Sequence, residues 1–229
     1  MANDWTAILQ QTEAYYTARV REYGATAHGV DWNSHESQHL RFQQLLRVVD
    51  DPTHPFSIND VGCGYGALAD YLQTFQYSFS YLGIDLSAEM IAQARARHKQ
   101  TPQCHFVLSS SAFPPADYSV ASGIFNVKLT TPYAEWHEYM LAVIDQLAES
   151  SMRGFAFNVL TKYADAQYMR SDLYYADPEA LFTYCRQRFS RWVAILHDYG
   201  LYEFTVVVRR EGDGVWRNLS SLVRETSLA

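Results

Sequence analysis

The sequence contains only three cysteines, Cys63, Cys104 and Cys185, and no two of them form a C-x-x-C pair. Small secreted domains that depend on disulfides carry more cysteines, usually in even numbers, and structural zinc sites use closely spaced cysteine pairs. This scarcity argues against both a disulfide framework and a metal site. It fits the reducing cytoplasm, so we expect a cytoplasmic protein without a metal.

Long apolar runs and basic runs are missing as well. No stretch approaches the ~20 apolar residues of a membrane span, and the first residues, "MANDWTAILQQTEAYYTARV", lack the basic and apolar regions of a signal peptide. Eighteen lysines and arginines face 25 acidic residues, and the net charge of -7 offers no basic stripe for phosphates. We therefore expect neither a membrane nor a nucleic acid as partner.

The remaining composition is that of a globular domain. Hydrophobic residues make up 48% of the 229 residues and charged residues 19%, which suits one domain with one core. Apolar residues at helical spacing predict a helix over residues 4–21 and a second from near Ser34 to the break at "DDPTHP". We expect residues 1–52 to form an N-terminal helical segment and residues 53–229 one compact unit.

From residue 56 onwards, short apolar runs alternate with helical patterns. The predicted strands are "FSINDV", "FSYLGID", "QCHFVL", "SVASGIF" after the turn "FPPADY", "GFAFNVL", and two runs around a tight turn at Tyr199 and Gly200. Predicted helices follow the first two strands and cover about 134–150 and 178–189. This order predicts an α/β fold, a doubly wound, mostly parallel sheet with a C-terminal antiparallel hairpin and additional N-terminal helices. Residues 161–177 fit no regular period.

A glycine-rich turn follows the first predicted strand in "INDVGCGYGA". Gly62, Gly64 and Gly66 allow a ligand to lie against the backbone at the carboxyl edge of the sheet, beside the N-terminus of the next helix. Gly62, Gly64 and Ala67 also satisfy the dinucleotide fingerprint G-x-G-x-x-A. The glycines therefore indicate a nucleotide-like cofactor and leave an NAD(P)-dependent oxidoreductase open.

Two carboxylates favour one kind of cofactor. Asp60 lies two residues before the first glycine, where a negative charge disfavours a pyrophosphate and favours an ammonium. Asp85 ends the second strand, where it can accept hydrogen bonds from both hydroxyls of a ribose. Together they favour a ligand that carries an amino acid and a ribose.

"DVGCGYG" at residues 60–66 resembles the D/E-x-G-x-G-x-G motif of the class I S-adenosylmethionine-dependent methyltransferases, and Asp85 and "CHFVLSSSAFP" resemble their second and third motifs. The resemblance implies a Rossmann-like, seven-stranded sheet over residues 53–229, a helical lid over 1–52, and S-adenosyl-L-methionine as cofactor, with S-adenosyl-L-homocysteine as product. The cofactor-binding residues that it implies are Asp60, Gly62, Cys63, Gly64, Gly66, Asp85, Leu86, Ser110, Ser111 and Ser122.

One of these positions departs from the family pattern, since Ser110 stands where many members carry an acid that binds the adenine amino group. Arg41 of the N-terminal segment is a further candidate, because an arginine there can meet the cofactor carboxylate.

We expect methyl transfer to an oxygen or nitrogen of a small-molecule acceptor. An NAD(P)-dependent oxidoreductase and a non-catalytic cofactor-binding module are the alternatives. The sequence identifies no general base. Candidate substrate contacts, chosen because they are polar or aromatic and follow the predicted strands, are Asn126, Tyr133, Asn158, Tyr163 and Tyr174.

Overall fold

The structure is a computed structural model that describes residues 4–111 and 113–210. Its helices are α1 (Thr6–Tyr23), α2 (His35–Leu45), α3 (Ala67–Gln73), α4 (Ala88–Arg97), α5 (Tyr133–Ser150) and α6 (Pro178–Arg188). Its strands are β1 (Phe56–Val61), β2 (Phe79–Asp85), β3 (Cys104–Leu108), β4 (Ala116–Ala121), β5 (Ser151–Leu160), β6 (Trp192–Leu196) and β7 (Glu203–Arg209).

The seven strands form one sheet in the order β3-β2-β1-β4-β5-β7-β6. Strands β1 to β5 pair in parallel, whereas β7 runs antiparallel to both β5 and β6. This confirms the predicted mostly parallel sheet with a C-terminal hairpin. From β1 the chain adds β2 and β3 on one side of the sheet and then β4 and β5 on the other, so the topological switch point lies between β1 and β4. Open α/β sheets bind ligands at the carboxyl ends of the strands at such a point.

Apolar clusters cover both faces of the sheet. One cluster joins Ile8 of α1 to Trp136 and Ile144 of α5. The other joins Leu45 at the end of α2 to Leu68 of α3 on the opposite side. Because both faces are covered, the open carboxyl edge of the sheet remains for a ligand.

The N-terminal helices pack on this unit through polar contacts as well. The Thr17 hydroxyl of α1 lies 2.6 Å from the hydroxyl of Ser87, the residue that caps α4. Ser34 caps α2, as the sequence indicates, by accepting a hydrogen bond from the Ser37 backbone. Whether residues 1–52 act as a lid stays a prediction.

The fourth strand differs from its predicted position. We expected "SVASGIF" to be extended after a turn "FPPADY", but β4 covers Ala116–Ala121 and the chain turns at Gly123, where φ is +73°. The predicted start of the strand was wrong because a polar residue, Asp117, lies inside β4. Asp117 is accommodated there because its carboxylate accepts hydrogen bonds from the backbone and hydroxyl of Ser57 on β1.

Two connections also differ from expectation. The hairpin between β6 and β7 uses residues 197–202 rather than a tight two-residue turn. The connection of residues 161–177 contains a 3-10 turn, Ala166–Tyr168, and is held at its ends by the bridges Thr161–Ala176 and Val127–Leu173. Among the described residues, no helix has both the length and the apolar character required to cross a bilayer.

Candidate functional site

The glycine turn after β1 adopts a backbone that requires glycine. Gly62, Gly64 and Gly66 have φ angles of +75°, +54° and +85°, which L side chains rarely adopt. The N–H groups of Gly62 and Cys63 donate to the carbonyl of Ile84, at 2.8 and 3.1 Å. The turn is thus tied to the end of β2, and its position relative to Asp85 is fixed.

Asp85 accepts a hydrogen bond on each carboxylate oxygen. Its Oδ2 accepts from the Gly64 N–H and its Oδ1 from the Ser87 N–H, both at 2.9 Å. Burial raises the pKa of Asp85, and the backbone hydrogen bonds from Ser87 and Gly64 oppose that shift. Because a carboxylate oxygen can accept two hydrogen bonds, both oxygens keep acceptor capacity for a ligand hydroxyl.

Asp60 is more deeply buried, with 3% of its surface exposed. Its Oδ2 accepts a 2.6 Å hydrogen bond from the Tyr81 hydroxyl. Burial raises the pKa of Asp60 to about 7, the negative charge of Asp85 adds to the shift, and the Tyr81 hydrogen bond opposes it. No ion pair to Asp60 is formed within residues 4–111 and 113–210, so a cationic ligand group would supply its counter-charge.

These groups line one cleft of about 1000 Å³, a volume that includes its open mouth. The N-terminal segment supplies one side of it, with Thr12, Tyr16, Val30, Trp32, Gln38 and Phe42. An apolar side is formed by Phe113, Ile124, Tyr139 and Val143. The cleft therefore lies between the first two helices and the carboxyl ends of β1, β2 and β4.

Within residues 4–111 and 113–210, two buried hydroxyls of this cleft have no hydrogen-bond partner. They are Thr12 Oγ1 on α1 and Ser122 Oγ directly after β4. A buried hydroxyl without a partner is unfavourable, and in a ligand site it is usually satisfied by the ligand or by water. The two hydroxyls thus mark where a polar ligand group fits.

Most of the predicted cofactor residues line this cleft. They are Asp60, Gly62, Cys63, Gly64, Asp85, Leu86, Ser110 and Ser122. Gly66 and Ser111 are not part of the wall: Gly66 caps α3, and the Ser111 N–H donates to the Ser109 hydroxyl.

The structure does not bring Arg41 into the cleft wall. Its Nε donates to Glu203 Oε2 at 2.8 Å, and its guanidinium lies 3.8 Å from the centre of the Trp32 ring. Trp32, not Arg41, is the residue that lines the cleft. The positive charge that we assigned to the cofactor carboxylate is thus already paired with Glu203.

The five predicted substrate residues also lie outside the cleft wall. Asn126 and Asn158 are buried and accept hydrogen bonds from the backbone of Leu160 and Gly123. The hydroxyls of the three tyrosines contact protein groups: Tyr133 donates to the Tyr175 carbonyl, Tyr163 to Glu179, and Tyr174 lies 2.6 Å from His137 Nδ1.

Sequence reasoning missed the residues that close the cleft. Thr12 and Tyr16 are four positions apart on α1 and so share one helix face. The sequence was used there only for its apolar spacing, so this polar pairing was missed. Trp32 received no role from the sequence. Tyr139 and Val143 carried no local signal, because their contribution depends on how α5 packs against the sheet. Phe113 lies in the connection between β3 and β4, which the sequence indicates only as a turn.

Comparisons with known proteins agree with this arrangement. Residues 58–154 match the family model described as a methyltransferase domain. The protein named "Putative methyltransferase Rv1506c" from Mycobacterium tuberculosis (strain ATCC 25618 / H37Rv) is 52% identical over 165 residues, which are 72% of this chain and 99% of that relative.

Solved structures are similar in fold. Magnesium protoporphyrin IX methyltransferase (ChlM) from Synechocystis PCC 6803 with bound SAH aligns with a TM-score of 0.61 and 16% identity, over 91% of this chain and 100% of that chain. The DhpI-SAM-HEP complex aligns with a TM-score of 0.61 and 14% identity, over 91% of this chain and 100% of that one.

Proposed function

The chain belongs to the class I S-adenosylmethionine-dependent methyltransferases, and from this premise we propose that it methylates an oxygen or nitrogen atom of a small-molecule acceptor. The family's cofactor, S-adenosyl-L-methionine, supplies a methyl group that its sulfonium already activates. The protein's own residues therefore need mainly to hold the cofactor and to place an acceptor in line with the methyl group.

The residues of the cleft suit this cofactor. Asp60, buried without a cationic partner among the described residues, is suited to the ammonium of the methionine part. Asp85 keeps acceptor capacity on both oxygens for the ribose hydroxyls. Ser110 lines the same cleft and offers a hydroxyl where relatives use an acid toward the adenine. These contacts support the placement of the ribose and of the methionine ammonium more directly than the placement of the adenine.

One observation supports a small acceptor above all: the N-terminal segment forms one side of the cleft. Thr12, Tyr16 and Trp32 lie opposite the strand ends, so an acceptor shares with the cofactor a cleft that protein bounds on both sides. Concave sites of this kind are typical of small-molecule ligands. A folded macromolecule could not enter such a space without displacement of the first helices.

The unpaired hydroxyls favour a polar acceptor. Thr12 Oγ1 and Ser122 Oγ are free to hydrogen-bond an acceptor hydroxyl or amine. No lysine, arginine or histidine belongs to the cleft wall as far as residues 4–111 and 113–210 define it, so no cation is available there to anchor an anionic acceptor. Within the described residues, the same wall offers no histidine as general base.

Methyl transfer from labelled cofactor tests this proposal. The protein is incubated with methyl-labelled S-adenosyl-L-methionine and a cell extract that is separated into metabolites, nucleic acid and protein. We expect the label in the metabolite fraction. Label mainly in nucleic acid or protein would overturn the small-molecule proposal, and cofactor binding without transfer to any fraction would favour the non-catalytic alternative.

Hydroxyl deletions identify the acceptor end of the cleft. Ser122→Ala and Thr12→Val should slow transfer, because each removes a free hydroxyl that a ligand can use. Unchanged affinity for S-adenosyl-L-homocysteine would assign that hydroxyl to the acceptor, and lowered affinity would assign it to the cofactor, as predicted for Ser122. Ser119→Ala is the matched control, since Ser119 lies on β4 as well but its hydroxyl is 3.0 Å from that of Ser150, away from the cleft. Equal rates in all three variants would exclude these hydroxyls from acceptor binding.

Calorimetry with S-adenosyl-L-homocysteine and with NAD tests the remaining alternative. Binding of NAD in preference to the homocysteine compound would revive the dinucleotide interpretation of the glycine turn. We place the reaction in the cytoplasm, a proposal supported by Cys63, Cys104 and Cys185, all of which are buried free thiols.

A further inference from the structure

Five residues around the cleft contact one another in a closed ring, Gly123, Asn158, Glu203, Arg41 and Trp32. We propose that Arg41, Glu203 and Asn158 are positioning residues, which hold the Trp32 indole against the Gly123 backbone so that it walls the methionine end of the cofactor. This inference rests on the proposed function, in which Asp60 meets the ammonium of the methionine part, and does not depend on the acceptor. Asp60 pairs with Val120 of β4, three residues before Gly123, so Gly123 and Trp32 are assigned to that end of the cleft.

The contacts follow one another without a break. The Gly123 N–H donates to Asn158 Oδ1 at 2.6 Å, and Asn158 Nδ2 donates to Glu203 Oε1 at 3.4 Å. Glu203 Oε2 accepts from Arg41 Nε at 2.8 Å, and the Arg41 guanidinium lies 3.8 Å from the centre of the Trp32 ring. A Cβ at Gly123 would lie 2.3 Å from two Trp32 ring atoms, so the indole rests on the backbone of Gly123.

Only two members of the ring line the cleft. Trp32 and Gly123 line the cleft, whereas Arg41, Glu203 and Asn158 lie behind them. Any effect of these three side chains on a ligand must therefore pass through the position of the indole or of the Gly123 backbone. This geometry separates a positioning role from direct binding.

The ion pair is a costly way to stabilise a fold. Arg41 is 7% exposed and Glu203 1% exposed, and burial raises the pKa of the Glu203 carboxyl. Removing two charges from water costs several kcal/mol per ion, and well-packed apolar replacements are often neutral or stabilising. Such a pair is better explained by the geometry that it imposes, here the stacked position of Trp32.

The ring also joins distant parts of the chain. Arg41 belongs to α2 of the N-terminal segment, and its partner Glu203, 162 positions later, begins β7. Asn158 lies on β5, directly paired with Thr205 of β7. The ring thus fixes the N-terminal segment to the sheet at the same edge where β4 ends and the cleft opens.

Removal of both charges tests the inference without leaving one of them unpaired. In the variant Arg41→Met/Glu203→Leu the protein should remain folded, while Trp32 loses its fixed position. We expect S-adenosyl-L-homocysteine to bind roughly tenfold more weakly, the size of one lost aromatic contact, and adenosine, which lacks the methionine part, to bind as in the wild type.

The matched control is Arg188→Met/Asp145→Leu. It removes a bidentate ion pair between α6 and α5, away from the cleft, by the same kind of substitution. This control should leave both ligand affinities unchanged. A folded Arg41→Met/Glu203→Leu variant that keeps full affinity for S-adenosyl-L-homocysteine, or that loses affinity for both ligands equally, would overturn the inference.

Fluorescence provides a readout that needs no ligand. The emission of Trp32 is obtained as the difference between each protein and its Trp32→Phe version, and acrylamide quenching then reports how accessible the indole is. Quenching should increase in the Arg41→Met/Glu203→Leu variant, and unchanged quenching would contradict the ring. Failure of the wild type to bind S-adenosyl-L-homocysteine would instead contradict the proposed function, so the two failures are distinguishable.

Discussion

Tyr81 and Asp60 form a 2.6 Å hydrogen bond between neighbouring strands, in which the phenol donates to Asp60 Oδ2. Both side chains are almost completely buried, Tyr81 at 1% and Asp60 at 3% exposure. The phenol is one of the few groups that stabilise the carboxylate there, and burial still raises the pKa of Asp60 to about 7. The free protein therefore holds an acid that titrates near neutrality beside the glycine turn.

Cofactor affinity should consequently depend on pH in the direction set by Asp60. An ammonium binds the ionised carboxylate, so affinity for S-adenosyl-L-homocysteine should fall as the pH drops below about 7, approaching about tenfold per pH unit. Calorimetry between pH 5.5 and 7.5 measures this, with adenosine, which lacks the ammonium, as the control ligand. A flat profile for S-adenosyl-L-homocysteine would separate Asp60 from the ammonium site.

The same acid should make the cofactor-free protein less stable at higher pH. Its pKa is raised from 3.8 unfolded to about 7 folded, so its favourable contribution is full below about pH 4 and is lost as the pH rises through 7. Asparagine does not ionise, so the Asp60→Asn variant lacks this pH dependence. The difference in unfolding free energy, variant minus wild type, should therefore increase by about 2 kcal/mol between pH 5.5 and pH 8, as measured by urea unfolding.

Asp85 should be sensitive even to a substitution that keeps its shape, because both of its oxygens already accept backbone hydrogen bonds. Asp85→Asn keeps the shape but leaves one acceptor oxygen, so either Gly64 N–H or Ser87 N–H loses its partner. Together with the lost ribose contact, affinity for S-adenosyl-L-homocysteine should fall by about 1–3 kcal/mol, the size of hydrogen bonds to a charged group.

The control for Asp85 is Asp117→Asn. Asp117 is also a partly buried strand acid that accepts a backbone hydrogen bond, but it lies near the start of β4, at the opposite edge of the sheet. It should leave affinity unchanged. If folded Asp85→Asn binds as tightly as Asp117→Asn, Asp85 is not a cofactor ligand.

The sheet and the glycine turn could be predicted because their signals are local. Runs such as "FSINDV" and "FSYLGID" favour strands by composition. The turn needs positive φ angles at alternate positions, and the glycines in the sequence indicate this directly. Asp60 and Asp85 could be assigned to the cleft since each occupies the end of a strand. In these cases the residue's position in its own element determines where it lies.

The walls of the cleft could not be predicted in the same way. Arg41 pairs with Glu203 across 162 positions, and nothing near either residue in the sequence indicates the partner. We assigned Arg41 to the cofactor because an arginine in the N-terminal segment can meet the cofactor carboxylate, and the sequence does not show its pairing with Glu203. Likewise, the tyrosines of residues 161–177 looked available, but Tyr163 hydrogen-bonds Glu179 and Tyr174 stacks on Tyr133. Long-range pairing decides which polar side chains remain free for a ligand.

Alanine substitutions at Gly66 and Gly200 separate backbone strain from close packing in the glycine turn. Gly66 and Gly200 both have positive φ, +85° and +71°, so alanine at either position pays the left-handed penalty of about 1–2 kcal/mol. At Gly200 a Cβ meets nothing within 4 Å. At Gly66 it would lie 2.9 Å from His98 Nε2 and 3.0 Å from Phe106, both buried.

His98 cannot easily move away, because its Nε2–H donates to the Gly66 carbonyl at 3.0 Å and its ring stacks on Phe106. Gly66→Ala should therefore reduce the free energy of unfolding by a further ~1–3 kcal/mol beyond Gly200→Ala, the usual cost of overpacking. Urea unfolding of the two variants measures the difference. Equal losses would mean that the His98 ring yields, and that the turn is held by its tie to Ile84 rather than by the packing beneath it.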